Sequence, residues 1–300
     1  MRGQPAELGR LLADSDPIEG AGERLEGRRI YIVGTGTSFH AANHGAHLLR
    51  LAGADAAAVS AAESTLWGPA PAEGDALVLL SHRGTKRYTS LALARARENG
   101  ATTVSIGGVG SGADIETVSQ ERSGTFTASH LGALMRLAQL SRALGADLDL
   151  DSVPKAVASA LDAPGPDVRL PSRGLEFVGA GPNQWTAAEG ALKVREAAHL
   201  FASAHEVEQL LHGPGFALEA RDALICLEGG GPGAERLVEL SAAVESRGAD
   251  VYRFVATDLG EPLSIFALTV VVQRIALDFA TMLGTDPDNV APSAWRSIQL

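Results

Sequence analysis

Residues 29–38 read RIYIVGTGTS, an apolar run that closes on two glycines spaced by one residue. Ile30, Tyr31, Ile32 and Val33 are residue types that suit a buried strand. Gly34 and Gly36 permit a sharp turn. From near Phe39 to Leu51 the pattern becomes helical. The same unit recurs downstream: residues 175–178, LEFV, run into Gly179-Ala-Gly-Pro-Asn183, and a helical pattern follows from about Trp185. Gly34 and Gly36 map onto Gly179 and Gly181 with one common offset, which points to an internal duplication.

Each half continues by alternation. Residues 76–80, 102–106 and 114–118 read as strands in the first half, with helices over 88–99 and 125–144. In the second half, 223–227 and 250–254 read as strands, 234–247 as the helix between them, and 265–283 as a long apolar helix. Short apolar strands alternating with helices predict an α/β fold with two three-layer α/β/α domains, each holding a mostly parallel sheet. Residues 22–150 and 165–300 are the expected domains. The proline- and glycine-punctuated stretch 161–169 lies between them, after a short helix over 153–161. Residues before about Gly22 read as an N-terminal arm or short helix.

Composition narrows the function classes. The chain has 300 residues, 45% hydrophobic and 20% charged, with a formal net charge of -11. That overall field does not invite nucleic acid, though it allows a local basic pocket for a small anion. The single cysteine, Cys226, excludes a disulfide scaffold within the chain and reads as a buried strand residue. The first residues show no signal peptide, and no run of eighteen apolar residues lacks a charge or a turn signal. The cytoplasm is the expected compartment, with no membrane partner.

The glycine turns are the candidate anion sites. A helix that starts after Gly34-Thr35-Gly36-Thr37-Ser38 presents free N–H groups and a partial positive charge. Thr35, Thr37 and Ser38 add hydroxyls, and Ser38 is the expected N-cap. The full dinucleotide glycine spacing is absent, since Phe39 stands where the third glycine would. The second strand end, Ser81-His82-Arg83-Gly84-Thr85-Lys86, offers hydroxyls and cations near a helix start, a mixture suited to phosphate. A capped structural turn and a solvated polar loop would read the same way.

Residues 189–212, EGALKVREAAHLFASAHEVEQLLH, form an almost unbroken helical pattern ahead of Gly213-Pro214. Glu189, Lys193 and Glu196 share one helical face. Surface ion pairs would show the same spacing, but a carboxylate beside a lysine also suits a general base. Gly190 costs about 1 kcal/mol within a helix and points to close contact with a ligand or another helix. His212 at the helix end reads as a cap or a proton donor. His205, Glu208 and His212 would line one face, but not in a recognised metalloprotease spacing, so no metal is expected. His40, His44 and His47 read as polar-face or subunit-interface groups. No serine stands in a nucleophile-elbow context.

The stretches Gly34-Thr-Gly-Thr-Ser-Phe-His40, Glu189-Gly-Ala-Leu-Lys-Val-Arg-Glu196, Leu211-His-Gly-Pro214 and Gly284-Thr-Asp-Pro-Asp288 carry a resemblance to sugar isomerase (SIS) domains. As a pair, the two halves are similar to the isomerase part of the glutamine–fructose-6-phosphate aminotransferases, over roughly residues 27–294. The resemblance implies a small-molecule sugar phosphate as ligand, a homodimer with shared active sites, and no cofactor. It implies that Ser38 faces the sugar, Ser81 binds phosphate and Glu196 moves a proton between C1 and C2. It places Lys193 near the substrate, Glu189 as an acid one turn earlier, and His212 in ring opening from a neighbouring subunit.

Two departures matter. The family loop resembles Ser-Gln-Ser-Gly-Glu-Thr, whereas Arg83 and Lys86 here replace its second serine and final threonine. The family's tail lysine, which can form a Schiff base with the open sugar, is matched by Pro292, and Arg296 follows without a lysine. No glutaminase part with its catalytic cysteine is seen. The resemblance thus implies isomerisation or amino-sugar-phosphate deamination without glutamine. A non-catalytic phosphosugar sensor and a redox or nucleotide-binding domain are the rival readings.

Overall fold

The computed structural model describes residues 1–290. The expected tail positions Pro292 and Arg296 lie outside the described residues. Contacts divide the described chain into two compact units. Met1–Arg122 and Phe126–Pro154 form the first, and Ser123–Thr125 and Lys155–Val290 the second.

In the first unit, α1 (Gln4–Ala13) and α2 (Asp16–Leu25) precede β1 (Ile30–Gly34) and α3 (Thr37–Leu51). Then come β2 (Ala56–Ser60), α4 (Ala61–Leu66), β3 (Ala76–Leu80), α5 (Arg87–Glu98), β4 (Thr102–Gly107), β5 (Ile115–Glu116) and α6 (Ala128–Ala143). The strands form one parallel sheet in the order β2-β1-β3-β4-β5. Val33, Leu77 and Leu79 pack with Ala61 of α4 and Ala92 and Ala96 of α5 on one face. On the other, α3 lies so close to α6 that a Cβ at Gly45 would sit 2.8 Å from a Leu137 methyl. The expected N-terminal arm is two docked helices. Arg136 of α6 is buried and donates to the carbonyls of Leu11 at 3.1 Å and Asp14 at 2.6 Å.

The chain passes through α7 (Val153–Asp162) into the second unit. There β6 (Leu175–Gly179), α8 (Asn183–Ala197), β7 (Ala202–Glu206), α9 (Val207–Leu211), β8 (Ala223–Glu228), α10 (Ala234–Glu245), β9 (Asp250–Val255) and α11 (Glu261–Leu283) follow. The sheet is again parallel, in the order β7-β6-β8-β9. Successive strand residues feed opposite faces, as the pleat requires. Phe177 and Ile225 join α8 and α11 on one side. Val178 and Cys226 join α9 and α10 on the other. Helix α11 is long and apolar enough to cross a membrane by composition, but most of it is buried in this core.

The unbroken helical pattern expected from Glu189 to His212 is interrupted. α8 stops at Ala197, and His199 takes a positive φ of 53°. Residues 202–206 then pair in parallel with β6, from Leu175 opposite Ala202 to Gly179 opposite Glu206. The Glu206 carboxylate accepts from the N–H groups of Glu208 at 2.9 Å and Gln209 at 3.1 Å, and so starts a new helix. Pairing with a buried neighbour strand overrides the helix propensity of this alanine-rich stretch.

Candidate functional site

In the first sheet β1 lies between β2 and β3, so the direction of winding reverses at β1 and β3. Ligands of open parallel sheets bind outside the strand carboxyl ends at such a reversal. Thr35, Thr37 and Ser38 follow β1, and Ser81, Arg83, Thr85 and Lys86 follow β3. All seven expected phosphate residues therefore follow the carboxyl ends of two neighbouring strands of the first sheet.

The turn after β1 depends on Gly34. A Cβ there would stand 2.4 Å from the Ser38 carbonyl oxygen. Gly36, at φ 59°, is the N-cap of α3, and Ser38 lies one residue inside the helix, its N–H donating to the Thr35 carbonyl at 3.2 Å. Ser38 is thus not the cap. The glycine geometry puts the helix start two residues earlier, which leaves the Ser38 hydroxyl out of capping. Gly179 and Gly181 repeat the arrangement in the second unit: a Cβ at Gly179 would meet the Asn183 carbonyl oxygen and Gly181 has φ 52°.

The loop after β3 is tied down at its start and exposed at its end. The Ser81 N–H donates to the Ile106 carbonyl at 3.0 Å, and the Gly108 N–H donates to the His82 carbonyl at 2.9 Å. Arg83, Thr85 and Lys86 are exposed. The Arg83 guanidinium lies 5.5 Å from the centre of the Phe126 ring. Lys86 is the N-cap residue of α5 by backbone conformation. A cavity of about 200 Å³ beside this loop is lined by Ser81, Gly84, Thr89, Ser90, Ser105 and Ser111 among others.

His82 and Glu121 were not singled out by sequence. The Glu121 carboxylate caps α6, accepting from the N–H groups of Thr127, Ala128 and Ser129 and from the Thr127 hydroxyl. Burial opposes its charge, but the bonds from Ser129 and Thr127 outweigh it and hold its pKa below the ordinary carboxylate value. An acid six residues before the cap position has no standard capping spacing, so nothing in the sequence marked it.

In the second unit the structure brings Glu189, Lys193 and Glu196 into one cluster. Lys193 Nζ is 2.5 Å from Glu196 Oε2 and 3.4 Å from Glu189 Oε1. Glu189 and Lys193 side chains are 0% exposed and Glu196 is 27% exposed. These are not surface ion pairs. Burial works against the Lys193 charge, but the two carboxylates outweigh it and raise its pKa. The result is an anchored ammonium with one fully buried carboxylate behind it and one accessible carboxylate in front. Gly190 serves helix packing: its Cβ would stand 2.9 Å from the Phe177 ring and 3.0 Å from Val272 of α11.

His212 is not in that cluster. It caps the end of α9, 78% exposed, with Nε2 3.7 Å from Glu208. The one-face grouping of His205, Glu208 and His212 is lost because β7 intervenes. His205 Nδ1 lies 2.7 Å from Glu176 of β6, and Glu208 pairs with Arg236 at 2.5 Å. Among the described residues no three His, Cys, Asp or Glu side chains are grouped to hold a metal. His44 is not a polar-face residue either: it is fully buried between α3 and α6, its ring 6.3 Å from that of His130. Cys226 is buried on β8, and burial pushes its thiol up to about 11.

A model of the SIS domain matches residues 25–113. A glutamine–fructose-6-phosphate aminotransferase of Sphingobium yanoikuyae is 30% identical over 144 residues, covering 41% of this chain and 92% of that protein. The chain belongs to the SIS domain family. The SIS-domain chain also matches the glutamine–fructose-6-phosphate aminotransferase of Pyrobaculum aerophilum at 26% identity over 272 residues, which is 82% of this chain and 45% of that protein. It thus spans less than half the length of that relative. Among solved structures, the tagatose-6-phosphate ketose/aldose isomerase of Escherichia coli has a TM-score of 0.81 at 18% identity, covering 97% of this chain and 95% of that one. At that identity the likeness speaks to the shared fold.

Proposed function

We propose that this SIS-domain protein binds a phosphorylated sugar or amino sugar and moves a proton between C1 and C2, as an isomerase or a deaminase that uses no glutamine. The observation that carries the reading is the buried Lys193 held between Glu189 and Glu196, with only Glu196 open to a substrate. Glu196 removes a proton from one carbon and returns it to the next, through an enediol or enolamine. The Lys193 charge stabilises the negative charge that develops on the sugar oxygen. Glu189 fixes Lys193. Where the substrate carries an amine at C2, the proton shift yields an imine, water adds at C2 and ammonia leaves.

In the first unit, Thr35, Thr37, Ser38, Ser81, Arg83, Thr85 and Lys86 would bind a sugar phosphate, by charge as well as hydroxyls. His212, exposed in one copy of the chain, would donate a proton to the ring oxygen in the active site of a neighbouring copy. A homodimer and an ancestral duplication of the two units belong to the same proposal. The repeated glycine turns and the repeated strand–helix order support the duplication.

The deciding experiment incubates the protein with hexose and hexosamine 6-phosphates in deuterium oxide and follows label at C1 or C2 and ammonia release. Turnover by the native chain, lost in Glu196→Gln while ligand binding persists, supports the proposal. Binding without any turnover in the native chain favours a sensor of the same ligand.

A further inference from the structure

His82 occupies an unusual position between two parts of the first unit. It belongs to the loop after β3. Its Nε2 accepts the backbone N–H of Glu121 at 3.2 Å. Its ring packs edge-on against Phe126 at 5.3 Å between centroids. It also fills the space over Gly108, where a Cβ would stand 2.7 Å from the imidazole. Glu121, whose N–H it holds, is the residue whose carboxylate caps α6. One imidazole therefore touches the cap of α6, the ring that Arg83 stacks on, and the loop after β4.

We propose that neutral His82 is a positioning residue, a brace that fixes the Ser81–Lys86 loop against the capped start of α6. An Nε2 that accepts a hydrogen bond has no proton, so the brace exists only in the neutral ring. Burial lowers the His82 pKa from its ordinary value; the facing Glu121 carboxylate opposes this and the neighbouring Arg83 reinforces it. Among the described residues, Glu121 and Arg83 are the charged groups that act on it. The ring is therefore neutral at physiological pH and loses its acceptor on acidification. Protonation would replace an accepted hydrogen bond by two opposed donors, the imidazolium N–H and the Glu121 N–H. The loop would then be released from α6.

The consequence for phosphate rests on the function proposed above; the brace itself does not. Two variants separate the roles of the ring. His82→Phe keeps an aromatic filler over Gly108 and removes the acceptor. His82→Gln keeps an acceptor at similar reach and removes the titration. Amide hydrogen exchange of Glu121 and Ser129, measured from pH 8 down to the acid limit of the folded protein without ligand, reads the brace directly. Protection at Glu121 should be lost in His82→Phe, lost on acidification in the native chain, and kept at all pH values in His82→Gln. Titration with fructose 6-phosphate gives the second readout. Losing one net hydrogen bond should weaken binding about fivefold in His82→Phe at pH 7.5, with His82→Gln close to native. The native chain should show a further acid loss that His82→Gln lacks, since phosphate ionisation is common to both. Unchanged Glu121 protection in His82→Phe, or superimposable pH profiles of the native chain and His82→Gln, overturns the proposal. If the native chain binds no sugar phosphate at any pH, the substrate reading fails, and the brace stands or falls on exchange alone.

Discussion

Lys193 Nζ lies 2.5 Å from Glu196 Oε2, while the same ammonium shields Glu189, which has no solvent access. The two carboxylates are not equivalent. Glu196 can be hydrated when the lysine is removed; Glu189 cannot. Lys193→Met should therefore destabilise the protein by about 3–5 kcal/mol, the usual cost of removing one partner of a buried ion pair. Lys193→Met combined with Glu189→Leu should recover most of it, because an apolar pair replaces an ionic one of similar volume. Urea unfolding of the three proteins checks this. Equal destabilisation in the single and double variants would show that Glu189 is not held by Lys193.

Much of this arrangement was legible beforehand, and the exceptions have physical causes. The strands β1, β3, β6 and β8 stood out because buried parallel strands are near-continuous apolar runs, and β4 and β9 stood out by their β-branched and aromatic residues. The edge strands β2 and β7 did not. Their sequences, Ala56-Ala-Ala-Val-Ser60 and Ala202-Ser-Ala-His-Glu206, carry little strand propensity and are set by pairing with β1 and β6. Missing β7 is what made residues 189–212 read as one helix. The spacing of Glu189, Lys193 and Glu196 put them on one face, but spacing cannot tell a buried face from a solvated one. Glu121 was invisible because its capping contact spans a loop.

Gly34 and Gly179 impose the same steric condition in the two units. The Cβ of Gly34→Ala would stand 2.4 Å from the Ser38 carbonyl oxygen, and Gly179→Ala would clash with the Asn183 carbonyl likewise. Both obstacles are backbone atoms of the following helix, so no side chain can give way. Each substitution should cost at least about 1–3 kcal/mol, the range for overpacking. Gly53→Ala is the control: φ is 79° but nothing lies within 4 Å, so only conformational strain of about 1 kcal/mol is added. Thermal melts of the three variants should rank accordingly. A Gly34→Ala protein as stable as Gly53→Ala would refute the steric account.

Cys226 provides a probe of global opening. Its side chain is buried on a central strand and burial lifts the thiol to about 11. Only the thiolate reacts with disulfide reagents. Reaction with an aromatic disulfide at pH 8 should therefore be negligible in the native protein and should appear with the urea transition. Rapid labelling of the folded protein would mean that the second sheet opens locally.

Arg136 pins the N-terminal helices onto α6. Besides the Leu11 and Asp14 carbonyls, it donates to the Glu116 carbonyl at 2.8 Å, to Gln139 Oε1 at 3.1 Å and to the Asp14 carboxylate. Arg136→Met keeps the aliphatic volume and strands several acceptors, at about 3 kcal/mol. The damage should be local first: α1 should become protease-sensitive around Asp14 before the rest of the unit unfolds. Limited proteolysis with mass analysis tests this. Cleavage unchanged from the native pattern would mean that apolar packing of Leu8 and Leu11 alone holds α1.

The ionic cluster also predicts how stability depends on pH. Lys193 has a folded-state pKa above its ordinary 10.5, since Glu189 and Glu196 outweigh burial. A raised lysine pKa means that the folded chain binds the proton more tightly than the unfolded one. Its contribution is fully present below pH 10.5 and is lost as pH rises through the higher folded value. Other lysines and tyrosines titrate in that range, so the native curve alone does not isolate it. The difference between the native chain and Lys193→Met/Glu189→Leu does. That difference should be flat from pH 7 to 10 and then move against the native chain as it loses its Lys193 contribution. A difference that stays constant to pH 12 would show that the ammonium gains nothing from its two carboxylates.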